Sequence, residues 1–322
     1  MAVNKSNGSP EDILVGGQAV IEGVMMRTPH ALAVAVRCGD GSIEVIKEPI
    51  KRLADCWRPF SWPMVRGFAV LVQSLILGIR ALNYSVNISM KSTESAAGEE
   101  KKNSQAKPTA LPIAVSILFG SAAAIVLFVL LPLWLASWLK GYFAAVHNWI
   151  VFNLVDGVIR LAVFLAYIVS IGFLKDIRRV FQYHGAEHKA VYVWEAGESL
   201  VPENARSKSR LHPRCGTSFM MLVMAVSIIV FSFFKFNHFW AIFLSRVILI
   251  PLVSGLSYEL IRLSARRSSR YSFWWLMVSP GLALQRLTTK EPADDQLEVA
   301  IWALKEALEL EGVKAVEAKT AA

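Results

Sequence analysis

Charge is scarce in this sequence. Asp, Glu, Lys and Arg make up 18% of its 322 residues, where soluble globular chains carry about 25%. Hydrophobic residues make up 54%, and the mean hydropathy is +0.44. That balance excludes an ordinary soluble enzyme, and equally a disordered or collagenous chain. Cysteine is scarce too: Cys38, Cys56 and Cys215 are odd in number and far apart, which implies no disulfide framework. The glycine-rich run Gly16–Arg27 (GGQAVIEGVMMR) lacks both the G-K-[ST] of a phosphate-binding loop and a G-x-G-x-x-G pattern, so nucleotide binding is not supported. Residues Met1 to Asp12 are polar and lack the apolar core of about 7–15 residues that a signal peptide needs. Entry into a membrane is therefore expected through internal spans.

Long apolar runs are abundant. No charge falls between Lys107 and Lys140, and Pro112–Leu139 exceeds the roughly 20 residues that cross a bilayer. Trp149–Leu174, Thr217–Phe234 and Phe239–Leu260 follow as further spans. Lys and Arg crowd the segment between the second and third spans (Lys175, Arg178, Arg179, Lys189, Arg206, Lys208, Arg210, Arg214) and the stretch after the fourth (Arg262, Arg266, Arg267, Arg270). The two opposite loops carry only Lys140 and Lys235. By the positive-inside rule both termini and the middle loop are expected in the cytoplasm, across a bacterial inner membrane, with the cysteines near the reducing side. The net charge of +9 thus points to membrane lipid rather than nucleic acid, with other membrane proteins or a second copy as further partners.

The expected fold is mainly α: a polytopic helical membrane protein with about four transmembrane helices, one or two short re-entrant or interfacial helices and a small N-terminal β unit. The interfacial candidates are Phe68–Ile79, about a dozen residues between Arg66 and Arg80, and Phe273–Leu284, which Pro280-Gly281 should break and whose Trp274 and Trp275 suit an interface. The β unit rests on Ile13–Ile21, and on Leu32–Arg37 and Ser42–Lys47 around Cys38-Gly39-Asp40-Gly41, a hairpin signal. Lys91–Thr109 is polar and reads as a flexible linker. Asp294–Glu311 reads as an amphipathic helix with Leu297, Ile301, Leu304 and Leu308 on one stripe. The organisation is then 1–60 with the β unit, 61–90 interfacial, 91–110 linker, 111–174 two spans, 175–216 a site-bearing loop, 217–264 two spans, and 265–322 an interfacial helix followed by the amphipathic one.

Chemistry concentrates in the middle loop. In Tyr183-His184-Gly185-Ala186-Glu187-His188-Lys189 the two histidines stand four apart, on one helical face, where neutral imidazoles can hold one metal ion. Glu187 completes an H-x-x-E-H pattern, in which the carboxylate serves as general base; two solvent-facing helix histidines are the bland alternative. His212-Pro213-Arg214-Cys215 adds an imidazole and a thiol, both ligands for zinc or another divalent transition metal, against a turn role for His212 and simple burial of Cys215. Glu259, at the end of the fourth span, is a further carboxylate candidate. Glu195 and Glu198 read first as exposed loop acids. Arg210 and Arg214 are placed to hold an anionic substrate group. Deeper in the spans lie Asp156, Arg160 and Arg246; helical rise puts the two arginines ~22–24 Å from the cytoplasmic ends. Such charges are paired, or snorkel to the outer interface.

Taken together, GGQAVIEGVMMR, YHGAEHK, EAGE, SRLHPRCGTSF and PGLALQRLTTKEP resemble the YqhQ-like family of bacterial membrane proteins, a domain of unknown function labelled as predicted metal-dependent enzymes. The resemblance runs from Gly16 to Ala300 and implies a metal-dependent activity. Three functions follow as expectations: a metal-dependent, zinc-type hydrolase at the cytoplasmic face with Glu187 as base; a non-enzymatic scaffold or assembly factor with a closed structural metal site; or a transporter or channel lined by Asp156, Arg160 and Arg246.

Overall fold

The computed structural model describes residues 13–96, 110–236, 238–267 and 273–313. Four strands, β1 (Gly16–Val20), β2 (Gly23–Arg27), β3 (Ala31–Arg37) and β4 (Ile43–Pro49), form an antiparallel meander in the order 1-2-3-4. The glycine-rich run is thus a hairpin: β1 and β2 pair Gly17 with Met26, and Glu22 takes a φ of 52° in the turn. Between β3 and β4 the turn closes on Gly41 at φ 88°, with the Asp40 carboxylate accepting from the Ser42 N–H at 2.9 Å.

Strand alternation gives this sheet two different apolar faces. Leu32, Val34 and Val36 of β3 join Val20 and Met25 on one side, while Ala33 and Ala35 join Val24 and Met26 on the other. A four-residue turn, α1 (Leu53–Cys56), and a 3-10 turn (Arg58–Ser61) lead to α2 (Val65–Ala96), which covers the first face with Leu77, Ala81 and Ile88. The second face, lined by small alanines, admits two helices: α6 (Lys175–Glu195) and α12 (Asp294–Glu311). The stripe Leu297, Ile301, Leu304 and Leu308 of α12 is fully buried there. Polar clamps fix both ends of α12. Arg37 donates to Glu298 at 2.6 Å, and Thr28 and the His30 N–H donate to Glu311 at 2.5 and 2.8 Å.

The apolar runs form helices close to their expected bounds. α3 (Ala110–Ile125) passes through a π-helical turn (Val126–Leu130) into α4 (Leu131–Lys140). Pro132, in the first turn of α4, has no N–H to return to the preceding turn, and the π turn absorbs the mismatch. α5 (Trp149–Ile171) starts at Asn148, whose side chain accepts from the N–H groups of Ile150 and Val151. α8 (Gly216–Ser232) packs Leu222, Val226 and Val230 on Val253. The fourth run, expected as one helix, is two: α9 (Phe239–Ile248) and α10 (Ile250–Arg267) meet at a 46° bend. Pro251 cannot donate to the Val247 carbonyl, so the ladder breaks there. α7 (Pro202–Arg206) is one turn in the middle loop, and α11 (Phe273–Thr288) runs straight through Pro280 rather than breaking. Gly281 lies so close to Ser218 of α8 that a Cβ would collide. The side chains of Trp274 and Trp275 lie outside the described residues, as do most of the expected linker (97–109) and the segment beyond Val313. α2 continues to Ala96, into what reads as linker.

The parity of the crossings follows from which elements share a core. By length and composition α2, Leu118–Lys140 and α5 all qualify as spans. The sheet and α6 lie in one core, so an even number of crossings separates them. α2 packs along the sheet through Leu77, Ala81 and Ile88 and against α10 near its start, and is itself long and apolar enough to cross. α6 and α12 also share that core, so the number between them is even as well; α8 and the bent pair α9–α10 lie in that interval. By length and composition three helices, or four with the bent pair α9–α10 taken as one span, are able to cross a membrane, and α8 is shorter than these. Within the bundle Asp156 is buried and takes Arg160 at 2.8 Å and Arg246 at 3.4 Å. Arg246 also donates to Asn153 and lies 4.1 Å from the Phe231 ring centre. The three charges form a closed cluster that ties α5, α8 and α9 together.

Cysteines placed at Tyr142, between α4 and α5, and at Trp302 on α12 should react with impermeant thiol reagents from opposite faces of a sealed membrane, and one at Glu44 should side with Trp302. Labelling of Tyr142 and Trp302 from the same face would contradict a crossing by α5.

Candidate metal centre

The H-x-x-E-H run lies in the middle of α6, and helical spacing puts the His184 and His188 rings 4.5 Å apart, centre to centre. The third partner comes from the start of a span. Cys215 is the N-cap of α8, and its thiol accepts from Thr217 N–H at 3.5 Å and Thr217 O–H at 3.3 Å. One nitrogen from each histidine and the Cys215 Sγ lie within 4.8 Å of one another. His184 Nε2 is 3.1 Å from that sulfur.

Two backbone carbonyls orient the rings. Thr288 O takes His184 Nδ1–H at 2.9 Å, and Arg210 O takes His188 Nδ1–H at 2.6 Å. A carbonyl only accepts, so each ring carries its proton on Nδ1 and turns a lone pair on Nε2 toward the sulfur. His188 Nε2 is buried and has no partner. Burial also lowers the His188 pKa against the raising effect of Cys215, which keeps the imidazole neutral. A buried acceptor without a donor costs about 1–3 kcal/mol, and a cation at this point removes that cost. Two neutral imidazoles and a thiol, each held from behind, suit a divalent transition metal of the zinc type.

The carbonyls are themselves held in place. Gly185 lets the chain at Lys290 pass against α6, where a Cβ would collide with the Lys290 carbonyl, and Lys290 N–H donates to Phe181 O at 2.8 Å. Arg210 donates to Thr289 Oγ1 at 2.8 Å and lies 3.9 Å from Glu291. The buried Lys189 pairs with the same Glu291 and donates to Arg206 O. Gln285 is an amide clamp: it accepts from His212 N–H at 2.7 Å and donates to His212 O at 2.8 Å.

Other expected site residues are engaged elsewhere. His212 stands beside the group, its ring centre 5.8 Å from that of His188, but its Nε2 faces Glu195 at 3.2 Å and its Nδ1 accepts from Arg214 N–H at 3.3 Å. Arg214 pairs with Glu195. Burial raises the Glu195 pKa, but the bonds from His212 and Arg214 outweigh this and leave it below the usual carboxylate value. Glu198 pairs with Lys208 at 2.5 Å. Glu259 is held by Arg66 in a bidentate pair. Arg210 and Arg214 thus spend their charge within the chain, on Thr289, Glu291 and Glu195.

Glu187 is buried on the next face of α6, against β1. A Cβ on Gly17 would meet its Cδ at 2.9 Å, and Gly17 N–H donates to its carboxylate. Burial pushes this carboxyl up to about 7, opposed by His184 and by that N–H. Gly17 leaves room for the acid, and Glu22 at the hairpin turn anchors the strand pair to α6 through Arg179 at 2.5 Å.

A family profile described as "Protein of unknown function (DUF1385)" matches residues 62–310. The chain belongs to this family. It is similar to the uncharacterized protein YqhQ of Bacillus subtilis (strain 168), with 35% identity over 301 residues that cover 92% of this chain and 93% of the relative. No solved structure matches. The DUF1385 match covers both arms of the site, His184–His188 and His212–Cys215, as well as Gln285 and Thr288 that support them.

Purified protein exposed to zinc should hold about one ion per chain by elemental analysis. His184→Ala with His188→Ala should abolish it and Cys215→Ser should weaken it at least tenfold, while His212→Ala should retain it. Gly185→Ala should cost about 1–3 kcal/mol by overpacking, read as a fall in thermal midpoint.

Proposed function

We propose that this DUF1385 protein is a zinc-dependent hydrolase of the bacterial inner membrane, acting at the cytoplasmic membrane surface. The observation that carries the reading is the convergence of His184 Nε2, His188 Nε2 and Cys215 Sγ, with both Nδ1 atoms held by carbonyls. Three protein ligands leave one position of a tetrahedron open, which is the arrangement of catalytic rather than structural zinc sites. When bound, such an ion supplies a Lewis acid and an acidic water at neutral pH.

The chain's own residues supply the rest. Glu187 is a buried carboxyl on the adjoining face of α6, without a cation pair among the described residues, and as general base it would turn from β1 toward the histidine–cysteine group to take and return a proton at its carboxylate. Gly17 N–H holds that carboxylate and β1 shields it from water. Thr288 O and Arg210 O keep the two rings oriented through turnover. Because Cys215 caps a spanning helix, the reacting group is presented at the membrane boundary, so a membrane-borne substrate suits the site. The Lys and Arg bias of the α6–α7 side supports a cytoplasmic placement of the sheet, the site and both termini.

Glu187→Gln separates this reading from a structural metal site. The variant should bind zinc as wild type does, keep its thermal midpoint within a few degrees, and lose at least a hundredfold in hydrolysis of a panel of ester, amide and phosphodiester probes presented in vesicles. An active wild type with an equally active Glu187→Gln would remove Glu187 from the chemistry. A wild type that holds zinc with a fourth protein ligand, seen by X-ray absorption, would favour the scaffold function.

A further inference from the structure

Although α2 is apolar enough to span a membrane, it packs along the sheet, and its first turn is set into the bundle. Gly67 packs under Tyr258, the Met64 carbonyl abuts Gly255, and Arg66 pairs with Glu259. Gly255 lies seven residues from Arg262, or about 10 Å of helix toward the far side. The chain from Leu53 to Val65 therefore descends into the leaflet next to the sheet, and α2 climbs back out of it. At the bottom of this descent Trp57 and Trp62 are 58% and 62% exposed, Met64 and Val65 are exposed beside them, and Phe60 packs edge-on to Trp57 at 4.9 Å. Exposed apolar area costs about 25 cal/mol per Å² in water; hydrocarbon removes the cost.

Higher up, about 14–18 Å along α2 from Met64, Gln73 and Ile76 line a cavity of about 240 Å³ with Ile50, Lys51, Leu53 and Arg80. Ile50, Leu53, Ile76 and Leu77 are its apolar lining, and two cations, Lys51 and Arg80, stand with one carboxylate, Glu48, among its polar lining. Among the described residues Lys51 has no ion pair, and Arg80 has a 3.9 Å contact with Glu48. Leu75, Ile76 and Leu82 continue the exposed apolar surface along α2. A phosphodiester fits beside the two cations, and hydrocarbon chains fit the apolar side chains below them.

We propose that Lys51–Val65 and the outer face of α2 form a wedge in the sheet-side leaflet that binds an anionic phospholipid, its phosphodiester between Lys51 and Arg80 and its acyl chains running from Ile76 and Leu75 toward Val65. The wedge does not depend on the metal centre. It fixes the height of the sheet above the bilayer, and Arg66–Glu259 staples it to α10.

Full-length protein in nanodiscs of equal phosphatidylglycerol and phosphatidylcholine tests this by native mass spectrometry. Wild type should retain the anionic lipid at least fivefold over the zwitterionic one, and Lys51→Glu with Arg80→Glu should bring the ratio near one. Equal retention by wild type, or an unchanged preference in the double variant, overturns the headgroup site. The wedge is tested separately, in a Cys38→Ser, Cys56→Ser, Cys215→Ser chain carrying a nitroxide at Trp62→Cys. Power saturation should show greater access to oxygen than to a water-soluble nickel chelate; the reverse order overturns insertion.

Discussion

The small-residue face of β3 governs this structure. Ala33 and Ala35 are short enough for α6 and α12 to lie directly on the sheet, so the first and last described segments of the chain share one core. Everything between them must leave and return to the same side. The same packing brings Gly17 of β1 against Glu187 of α6. A larger residue at Ala33 or Ala35 would lift α12 and loosen the strand that covers the acid.

The candidate metal centre is the seam between that core and the bundle. Its histidines belong to the core through α6, its cysteine to the bundle through α8, and the carbonyls that orient the rings come from Thr288 at the end of α11 and from Arg210 in the loop before α8. Around it the cations are spent internally: Lys189 and Arg210 on Glu291, Arg214 on Glu195. These charges hold loops in place, and what they leave at the centre is a pair of imidazoles facing a sulfur.

Much of this could be read from the sequence. Helical spacing put His184 and His188 on one face, and the apolar runs gave long helices, although the third, α8, is shorter than a span and Phe68–Ile79, expected as a dozen-residue interfacial helix, is part of a 32-residue helix apolar enough to cross. The stripe from Leu297 to Leu308 gave α12 to the residue. What could not be read depends on contacts distant in sequence. Periodicity cannot say which partner an arginine takes, so Arg210 and Arg214 read as free cations and Glu259 as a ligand, while Thr289, Glu195 and Arg66 hold them. Gln285 and Thr288 gave no signal of their own, because an amide and a backbone carbonyl become functional only when His212 and His184 meet them. Proline acted by context: Pro251 breaks its run, whereas Pro280 sits inside α11.

The clamp between Arg37 and Glu298 joins residues 261 positions apart. Chains emerge from the ribosome at about 5–20 residues per second, so β3 waits roughly 13–50 s for the helix that covers its alanine face, while the spans are inserted in between. During that interval the sheet has α2 on one side and, once residues 175–195 are made, only α6 on the other. Order of synthesis thus makes α12 the closing piece: until it docks, the strand pair against α6 lacks its full support, and a chain cut short before residue 294 carries every span yet leaves the alanine face of the sheet without its lid.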